Sequence, residues 1–382
     1  MLPPAQQMFY RVLASTLNMI GLFERTWWGY KPIHDLLSFH GTFVILVAPF
    51  IPVTQFMYLF FNYMNLSFDV IGTVCSIIPV SILVNVSKNN LIFYKRLMEN
   101  FMNEIHLSNY CTEKVTRYTA YLLIFFFGLN WFFWINIPIF HNITNKENII
   151  NKTMQLQTCV YIWMPFDYGY NFKNWIIIHL INIYIVPVGV LIMATSHCLN
   201  YIIIYHLIGH IHLLKNIIAS DFIDKSLSNE EVRSRLIGII KYHSFILRIF
   251  NDVQSTFGIN VAANYLHNLF SDSLILYQGD IFSYAVMVGA YIGELILMSF
   301  VTEEIRKQSL DLPDLVYSIP WENMAISNQK IFMLLLSRVQ TEMHFVAVGV
   351  LKAGVQPMAS ILKTTFSYYV FLKSSIESNV YK

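Results

Sequence analysis

The sequence has little charge and lacks the short motifs of common enzyme classes. Asp, Glu, Lys and Arg make up 13% of its 382 residues, against a usual share of about 25%. It contains no GxxxxGKS/T phosphate loop, no HExxH, no GxSxG and no GxGxxG. We therefore expect neither an enzyme nor a cofactor. The net charge of +2 is too small to favour a nucleic-acid partner.

The sequence also predicts neither a cysteine-based site nor a cleavable signal peptide. The four cysteines show no CxxC spacing, so neither a zinc site nor a redox pair is indicated. His206 and His210 have the i, i+4 spacing of a metal pair, but no carboxylate lies in the same turn, which favours solvated histidines and no metal. Pro and Gln interrupt the N-terminal MLPPAQQMFYRVL, so no cleavable signal peptide is expected.

Apolar residues are what the sequence has in excess, at 55% with 16% aromatic. Lipid tolerates such a surface, and a membrane helix needs about 20 apolar residues. The runs predict an all-α, multi-pass membrane protein with a single domain over 1–382. Its seven spans are expected near 36–61, 67–87, 119–140, 175–205, 250–277, 281–301 and 344–372.

The fifth span is the least apolar. Asn260, Asn264, His267 and Ser271 recur on one helical face, and polar groups at membrane depth must face protein or water. The alternative is a cytosolic amphipathic helix. Glu294, within the sixth span, is a functional candidate by default, or it simply reaches water near the span's end.

Four further segments are predicted to be helical without crossing the membrane. They are 8–22, 90–104, 229–250 with a capping box at Ser228 and Glu231, and 327–338. We assign 206–250 and 302–343 as cytosolic helical anchor segments within the single domain.

The basic residues predict the orientation. With the N-terminus inside, 18 of the 25 Lys and Arg fall on the inner side, five on the outer side and two in the seventh span. The positive-inside rule then places the N-terminus in the cytoplasm and the C-terminus outside. Four sequons occur, and the one at Asn85 falls at an inner membrane edge. Three lie in outer loops and are predicted glycosylation sites: Asn65, Asn142 and Asn151.

The C-terminal third contains three distinctive stretches: Gln308-Ser309-Leu310-x-Leu312 with Val316-Tyr317 and Trp321; Leu334 to Gln340 (LLLSRVQ); and Ile361 to Tyr369 (ILKTTFSYY) with Leu372. Together these stretches resemble the corresponding segments of the insect odorant receptors. A G-protein-coupled receptor fits less well, because the orientation is reversed and the Asp-Arg-Tyr and Asn-Pro-x-x-Tyr motifs are missing. Residues 302–305 (TEEI) depart from the family's usual pattern, so the inner end of the sixth helix is not predicted by it.

The resemblance implies an odorant-gated, nonselective cation channel in the plasma membrane of a sensory dendrite. It implies a small volatile ligand and a tetramer formed with the family's coreceptor. The coreceptor's long insertion is missing between the fourth and fifth spans, which favours an odour-tuned subunit. A gustatory-type receptor channel, a metabotropic seven-helix receptor and a transporter are the alternatives.

The resemblance also implies an odorant pocket in the outer half of the bundle, among the second, third, fourth and sixth helices. Topology and helical spacing then indicate which residues are candidates for this mostly apolar pocket. Its candidates lie on the second, third, fourth and sixth spans, with Asn182 or a Tyr hydroxyl as the one polar contact. Interhelical packing or an interfacial aromatic belt is the alternative for each. The candidates are Ile71, Cys75, Phe127, Trp131, Trp134, Ile178, Asn182, Ile185, Tyr284, Met287 and Tyr291.

Two other sites are predicted. Thr364, Tyr368, Phe371 and Ser375 share one face of the last helix and are the candidate pore lining, unless the aromatics form a lipid-facing belt. A subunit interface is expected in the cytosolic anchor, unless its residues pack within one subunit. Its candidates are Trp321, Leu334, Leu335 and Leu336.

Overall fold

The chain folds into a bundle of long α-helices. The structure, a computed structural model, describes Thr16, Ile20 and residues 35–66, 68–102, 110–222, 227–278, 281–349 and 351–380. The predicted segment 8–22 therefore lies almost wholly outside the described residues. The described helices are α1 (Asp35–Val47), α2 (Phe50–Asn62), α3 (Phe68–Met102), α4 (Tyr110–Thr144), α5 (Lys146–Ile150), α6 (Phe172–Asp221), α7 (Asn229–Gln278), α8 (Ile281–Leu310), α9 (Leu312–Tyr317), α10 (Ile326–Val339) and α11 (Val355–Val380).

Four helical stretches of the described residues are long and apolar enough to cross a membrane on those criteria alone. They are Ser38–Asn65, Val70–Asn89, Arg117–Thr144 and Phe172–Asp221. The other predicted spans lie in α7, α8 and α11, which are more polar. These three helices pack against one another, and α7 also packs along α3. Their polar residues can therefore find partners inside the bundle.

The first predicted span is broken into two helices. Pro49 separates α1 from α2, because proline has no backbone N–H to continue the helical hydrogen bonds. Ala48 still donates to the Val44 carbonyl at 3.0 Å, so the break is local. The bend brings Val47, Ala48 and Ile51 to one side of the bundle, where they line a cavity.

The seventh span begins later than predicted. Residues 344–354 were expected to be helical, but they contain an antiparallel hairpin of β1 (Val346–Ala347) and β2 (Leu351–Lys352). Gln254 of α7 holds this hairpin, since its amide accepts from Val346 N at 2.9 Å and donates to Val346 O at 2.6 Å. Phe345 and Ala347 are buried, and β1 packs against α7, so this part of the predicted span is a hairpin and not a membrane helix.

Gly354 marks the start of the last helix. Its φ of +152° is strained for residues with a Cβ, and a Cβ there would lie 2.5 Å from the Glu303 carboxylate. Glycine therefore lets the chain pass close to α8 before α11 begins at Val355.

Two predicted non-membrane helices are continuous with spans. Residues 90–102 form the C-terminal part of α3, residues 103–104 lie outside the described residues, and 229–250 form the first part of α7. The predicted capping box is confirmed, because Ser228 N donates to Glu231 Oε2 at 2.8 Å and Glu231 N donates to Ser228 Oγ at 3.3 Å. The predicted solvation of His206 and His210 is wrong: both are buried, and His210 Nδ1 lies 2.8 Å from the Tyr242 hydroxyl.

Candidate ligand cavity and buried polar cluster

An apolar cavity of about 100 Å³ lies among the long helices. For scale, an engineered cavity of about 150 Å³ in another protein binds benzene, so this volume suits a ligand of few heavy atoms. Its walls come from α1 and α2 (Phe43, Val44, Val47, Ala48, Ile51), α3 (Ile77, Val80, Ser81, Val84, Asn85), α4 (Phe127, Asn130, Trp134), α6 (Tyr184, Ile185, Val186, Val188, Gly189, Val190, Ile192, Met193), α8 (Tyr291) and Val160.

The segment joining α5 to α6, residues 151–171, forms a roof over this end of the bundle. Side chains of the helices hold its main chain: Trp134 Nε1 donates to Cys159 O at 3.1 Å, and Trp175 Nε1 donates to Gln157 O at 2.7 Å. Burial raises the pKa of the Cys159 thiol to about 12, so the thiol stays protonated and inert. The roof contributes Val160 to the cavity wall.

Four of the predicted pocket residues line the cavity, namely Phe127, Trp134, Ile185 and Tyr291. Ile71 and Cys75 lie earlier on α3 than its lining residues, and Trp131 is 42% exposed on the outside of the bundle. The side chains of Tyr284 and Met287 lie outside the described part of the chain.

Ile178 and Asn182 lie on α6, contact the roof and do not line the cavity. Ile178 is buried in the hydrophobic cluster beneath the roof. The Asn182 amide donates to Thr158 Oγ1 at 2.7 Å and to Val160 O at 3.3 Å. The Asn182 amide nitrogen therefore already has partners within the protein, and a ligand hydrogen bond from Asn182 stays a prediction.

Spacing rules missed the contribution of the first span, which supplies five lining residues through α1 and α2. They also missed Asn130, a polar residue on the third span. Asn130 could have been predicted to face the interior, because an amide inside an apolar span needs a polar partner.

A buried polar cluster lies beside the cavity. It consists of His197, Asn264, His267, Asn268 and Glu294, all at most 3% exposed. His197 Nδ1 lies 2.8 Å from Glu294 Oε1, a close electrostatic contact without the geometry of a linear hydrogen bond. Asn264 Nδ2 donates to the other Glu294 oxygen, and Asn268 Nδ2 donates to Asn264 Oδ1 at 2.9 Å. The cluster joins α6, α7 and α8.

The cluster confirms that the polar stripe on the fifth span faces protein. Asn260, Asn264 and His267 are buried, and Asn260 Nδ2 lies 3.4 Å from Ser196 Oγ on α6. Glu294 does not reach water, so the simple solvated alternative for this carboxylate is excluded.

Two aromatic side chains belong to both regions. Phe127 lines the cavity and stacks on His197, with ring centroids 5.7 Å apart. Tyr291 lines the cavity and meets His267 edge to face at 4.4 Å. On the far side of the cluster, Thr365 Oγ1 of α11 donates to Asn268 O at 3.1 Å. A continuous set of contacts thus runs from the cavity wall to the last helix.

The predicted pore residues lie on α11. Thr364, Tyr368 and Phe371 are exposed on the surface of the single chain. Phe366 and Val370 of another face are exposed too, so exposure alone does not separate a pore face from a lipid face. The side chain of Ser375 lies outside the described residues.

The predicted interface residues divide into two groups. Leu335 is fully buried and Trp321 stacks on Phe332 with centroids 5.8 Å apart, so both pack within the subunit. Leu336 is partly buried against the same core. Leu334 is 54% exposed, and Met333 beside it is also exposed. Of the predicted set, Leu334 is the residue available to a partner.

The three predicted glycosylation sites differ in access. Asn65 and Asn151 are exposed. Asn142 is buried, and its amide donates to Gln157 O at 2.9 Å while its oxygen accepts from Gln157 N at 2.8 Å. A glycan on Asn142 requires both bonds to break.

Known proteins share this sequence pattern and fold. The sequence profile of the 7tm Odorant receptor family matches residues 89–366. Odorant receptor 30a of Drosophila melanogaster is 23% identical over 159 residues, covering 39% of this chain and 41% of that protein. The chain thus matches less than half the length of this relative.

Solved structures match over nearly the whole chain. The insect olfactory receptor OR5 from Machilis hrabei in complex with eugenol has a TM-score of 0.74 at 15% identity, covering 96% of this chain and 99% of that chain. The same receptor in a second structure has a TM-score of 0.72 at 15% identity, covering 95% and 96%. These likenesses confirm the predicted seven-transmembrane helical class, and the profile covers well over half of the sequence. The chain therefore belongs to the 7tm odorant receptor family.

Proposed function

We propose that this chain is the odour-tuned subunit of a ligand-gated, nonselective cation channel in the plasma membrane. The observation that carries the proposal is the apolar cavity, whose walls Phe127 and Tyr291 also contact the polar cluster next to α11. Volatile molecules are small and mostly apolar, so they match the volume and lining of this cavity. The Machilis hrabei receptor of the same fold was solved with eugenol, itself a small volatile molecule.

The proposed opening step follows from those contacts. A ligand that fills the cavity displaces the rings of Phe127 and Tyr291, which changes their contacts with His197 and His267. The cluster transmits this to α11 through the Thr365 bond to Asn268. A ligand shifts the closed–open equilibrium only by its preference for one state, so the cavity must differ in shape between the two.

Gating is assigned to the last helix. We place Thr364, Tyr368, Phe371 and Ser375 along the pore, where large side chains close a narrow path by dewetting. Cysteine at each position, treated with a water-soluble thiol reagent during odour exposure, should block the current, whereas cysteine at Val370 should not. Equal modification of both faces, or no modification of either, would reject this face as the pore lining.

The topology and partner belong to the same proposal. The N-terminus is cytoplasmic, the C-terminus is extracellular, and the cytosolic anchor with Leu334 binds the coreceptor within a tetramer. An N-terminal epitope tag reached by antibody on intact cells would contradict this orientation and favour a metabotropic receptor.

The decisive experiment is whole-cell recording from cells expressing this chain with and without the coreceptor, across a panel of volatile molecules. We expect an inward cation current with at least one volatile, only when both subunits are present. No response in either combination would reject the odour-gated channel, and a robust current from this chain alone would reject the obligatory partner.

A further inference from the structure

The polar side chains of the cavity wall differ in whether their donors are used. Asn85 Nδ2 donates to Ala48 O and Ser81 O, both at 2.9 Å. Trp134 Nε1 donates to Cys159 O at 3.1 Å. These donor groups hold the helices and the roof in place, so they are not available to a ligand.

Asn130 differs from Asn85 and Trp134. It lies on α4 between Phe127 and Trp134, lines the cavity and is 2% exposed. Its Nδ2 has no hydrogen-bond partner among the described residues. A buried unpaired donor is unfavourable, and such groups in native proteins usually have a partner supplied by water or a ligand.

Water alone is a poor partner at this position. An internal water is held by about two to four polar groups, whereas most of the residues that line this cavity are apolar. A ligand brings its own oxygen to the amide and fills the apolar space with its hydrocarbon body. It therefore satisfies both parts of the cavity at once.

We propose that the Asn130 amide donates a hydrogen bond to an acceptor oxygen of the ligand, so that the cavity selects oxygen-bearing volatiles over hydrocarbons of the same shape. The ligand class is a small molecule with one carbonyl, ester, ether or hydroxyl oxygen on an apolar body. This inference rests on the proposed function, because it names the ligand class of the same cavity.

The test uses the full chain expressed with the coreceptor and a panel of volatile methyl ketones, each paired with the hydrocarbon of the same carbon skeleton. We measure the concentration giving half-maximal current for both members of each pair. In the wild-type channel the ketone should act at a roughly 3- to 10-fold lower concentration, the range expected for one hydrogen bond. Asn130→Leu and Asn130→Ala should reduce this ratio to near one, and Asn130→Ser should restore part of it.

The matched control is Asn136→Leu on the same helix, because that amide donates to its own helix at Phe132 O and does not line the cavity. Its ratio should equal that of the wild type. A ratio unchanged by both Asn130→Leu and Asn130→Ala, or reduced equally by Asn136→Leu, overturns the inference while the odour-gated channel stands. A wild-type channel that no volatile opens rejects the proposed function itself.

Discussion

The cavity and the polar cluster are neighbours, but hydrophobic contacts form the first and polar contacts form the second. The cavity wall is almost entirely apolar, and hydrophobic contact is non-directional, so one wall accepts ligands of different outline. Four buried polar side chains of the cluster are joined by short contacts between their polar atoms, which are directional and costly to break; they are His197, Glu294, Asn264 and Asn268. The contrast suggests that the cavity can change its ligand while the cluster keeps the helices in one arrangement.

The largest effect is expected when the carboxylate of the polar cluster is removed, because this tests whether the cluster holds the helices in one arrangement. Glu294→Ala leaves His197 and Asn264 buried without their partner, and losing one member of a buried pair costs about 3–5 kcal/mol. We expect a large drop in thermal stability and little channel at the cell surface. The measurement is thermal unfolding of the purified complex, with surface biotinylation.

The control lies on the same helix. Glu304 accepts from Gln308 at 2.6 Å near the end of α8, and Glu304→Ala should cost about 1 kcal/mol or less. Glu294→Gln separates charge from hydrogen bonding, because it keeps a group of the same size. Equal stability of Glu294→Ala and Glu304→Ala would show that the cluster does not hold the bundle together.

Filling the cavity tests the other region without touching the cluster. A Cβ on Gly189 would lie 3.5 Å from Val84, an ordinary contact, so Gly189→Ala should be tolerated. The rest of a leucine side chain extends into the cavity. We expect Gly189→Leu to raise the half-maximal odour concentration by more than about tenfold, with an overpacking cost of about 1–3 kcal/mol.

Surface amount and dose–response should be recorded together for this variant. The matched control is Gly128→Leu on α4. A Cβ on Gly128 would meet no atom within 4 Å, and Gly128 does not line the cavity. If Gly189→Leu and Gly128→Leu gave the same dose–response, this would indicate that ligands bind outside the cavity.

The link between the two regions is tested at Phe127. Phe127→Leu keeps an apolar wall but removes the ring that stacks on His197, and aromatic pairs contribute about 0.5–1.5 kcal/mol. The half-maximal odour concentration should rise roughly 3- to 10-fold. Phe126→Leu, at an exposed neighbouring position, should not shift it. An equal shift in both variants would indicate a general effect of α4 packing.

The smallest effect is expected where the cluster meets the last helix. Thr365→Val keeps the shape of the side chain but removes its hydrogen bond to Asn268 O, worth about 0.5–1.5 kcal/mol. We expect a change of this size in the closed–open balance, measured as current without odour relative to maximal current. Ser367→Ala, whose hydroxyl bonds only within α11, should leave that ratio unchanged.

The sequence predicted the cluster's face better than its partners. Asn260, Asn264 and His267 were expected to face protein because lipid does not solvate amides. The polar partners lie on other helices, Ser196 with Asn260 and Glu294 with Asn264, and no local rule pairs residues this far apart in sequence. The long helices were predicted for the same local reason, namely uninterrupted apolar runs.

The cavity wall was harder to predict, and the misses have physical causes. Trp131 and Trp134 lie about one turn apart on α4, but lipid and protein interior are equally apolar, so composition does not tell which one faces inward. The lining from α1 and α2 depends on the bend at Pro49, whose direction the sequence does not state. The late start of α11 follows from the backbone conformation at Gly354, and a prediction from hydropathy does not take backbone conformation into account.

The roof over the cavity has a consequence for how such a receptor diversifies. Trp134, Trp175, Asn142 and Asn182 donate from the helices, and nearly every acceptor on the roof is a backbone carbonyl. Carbonyls are the same for every amino acid. Substitutions on the solvent side of the roof can therefore accumulate without unfastening it, and the tolerance to mutation in this segment is set by the four helical donors beneath it.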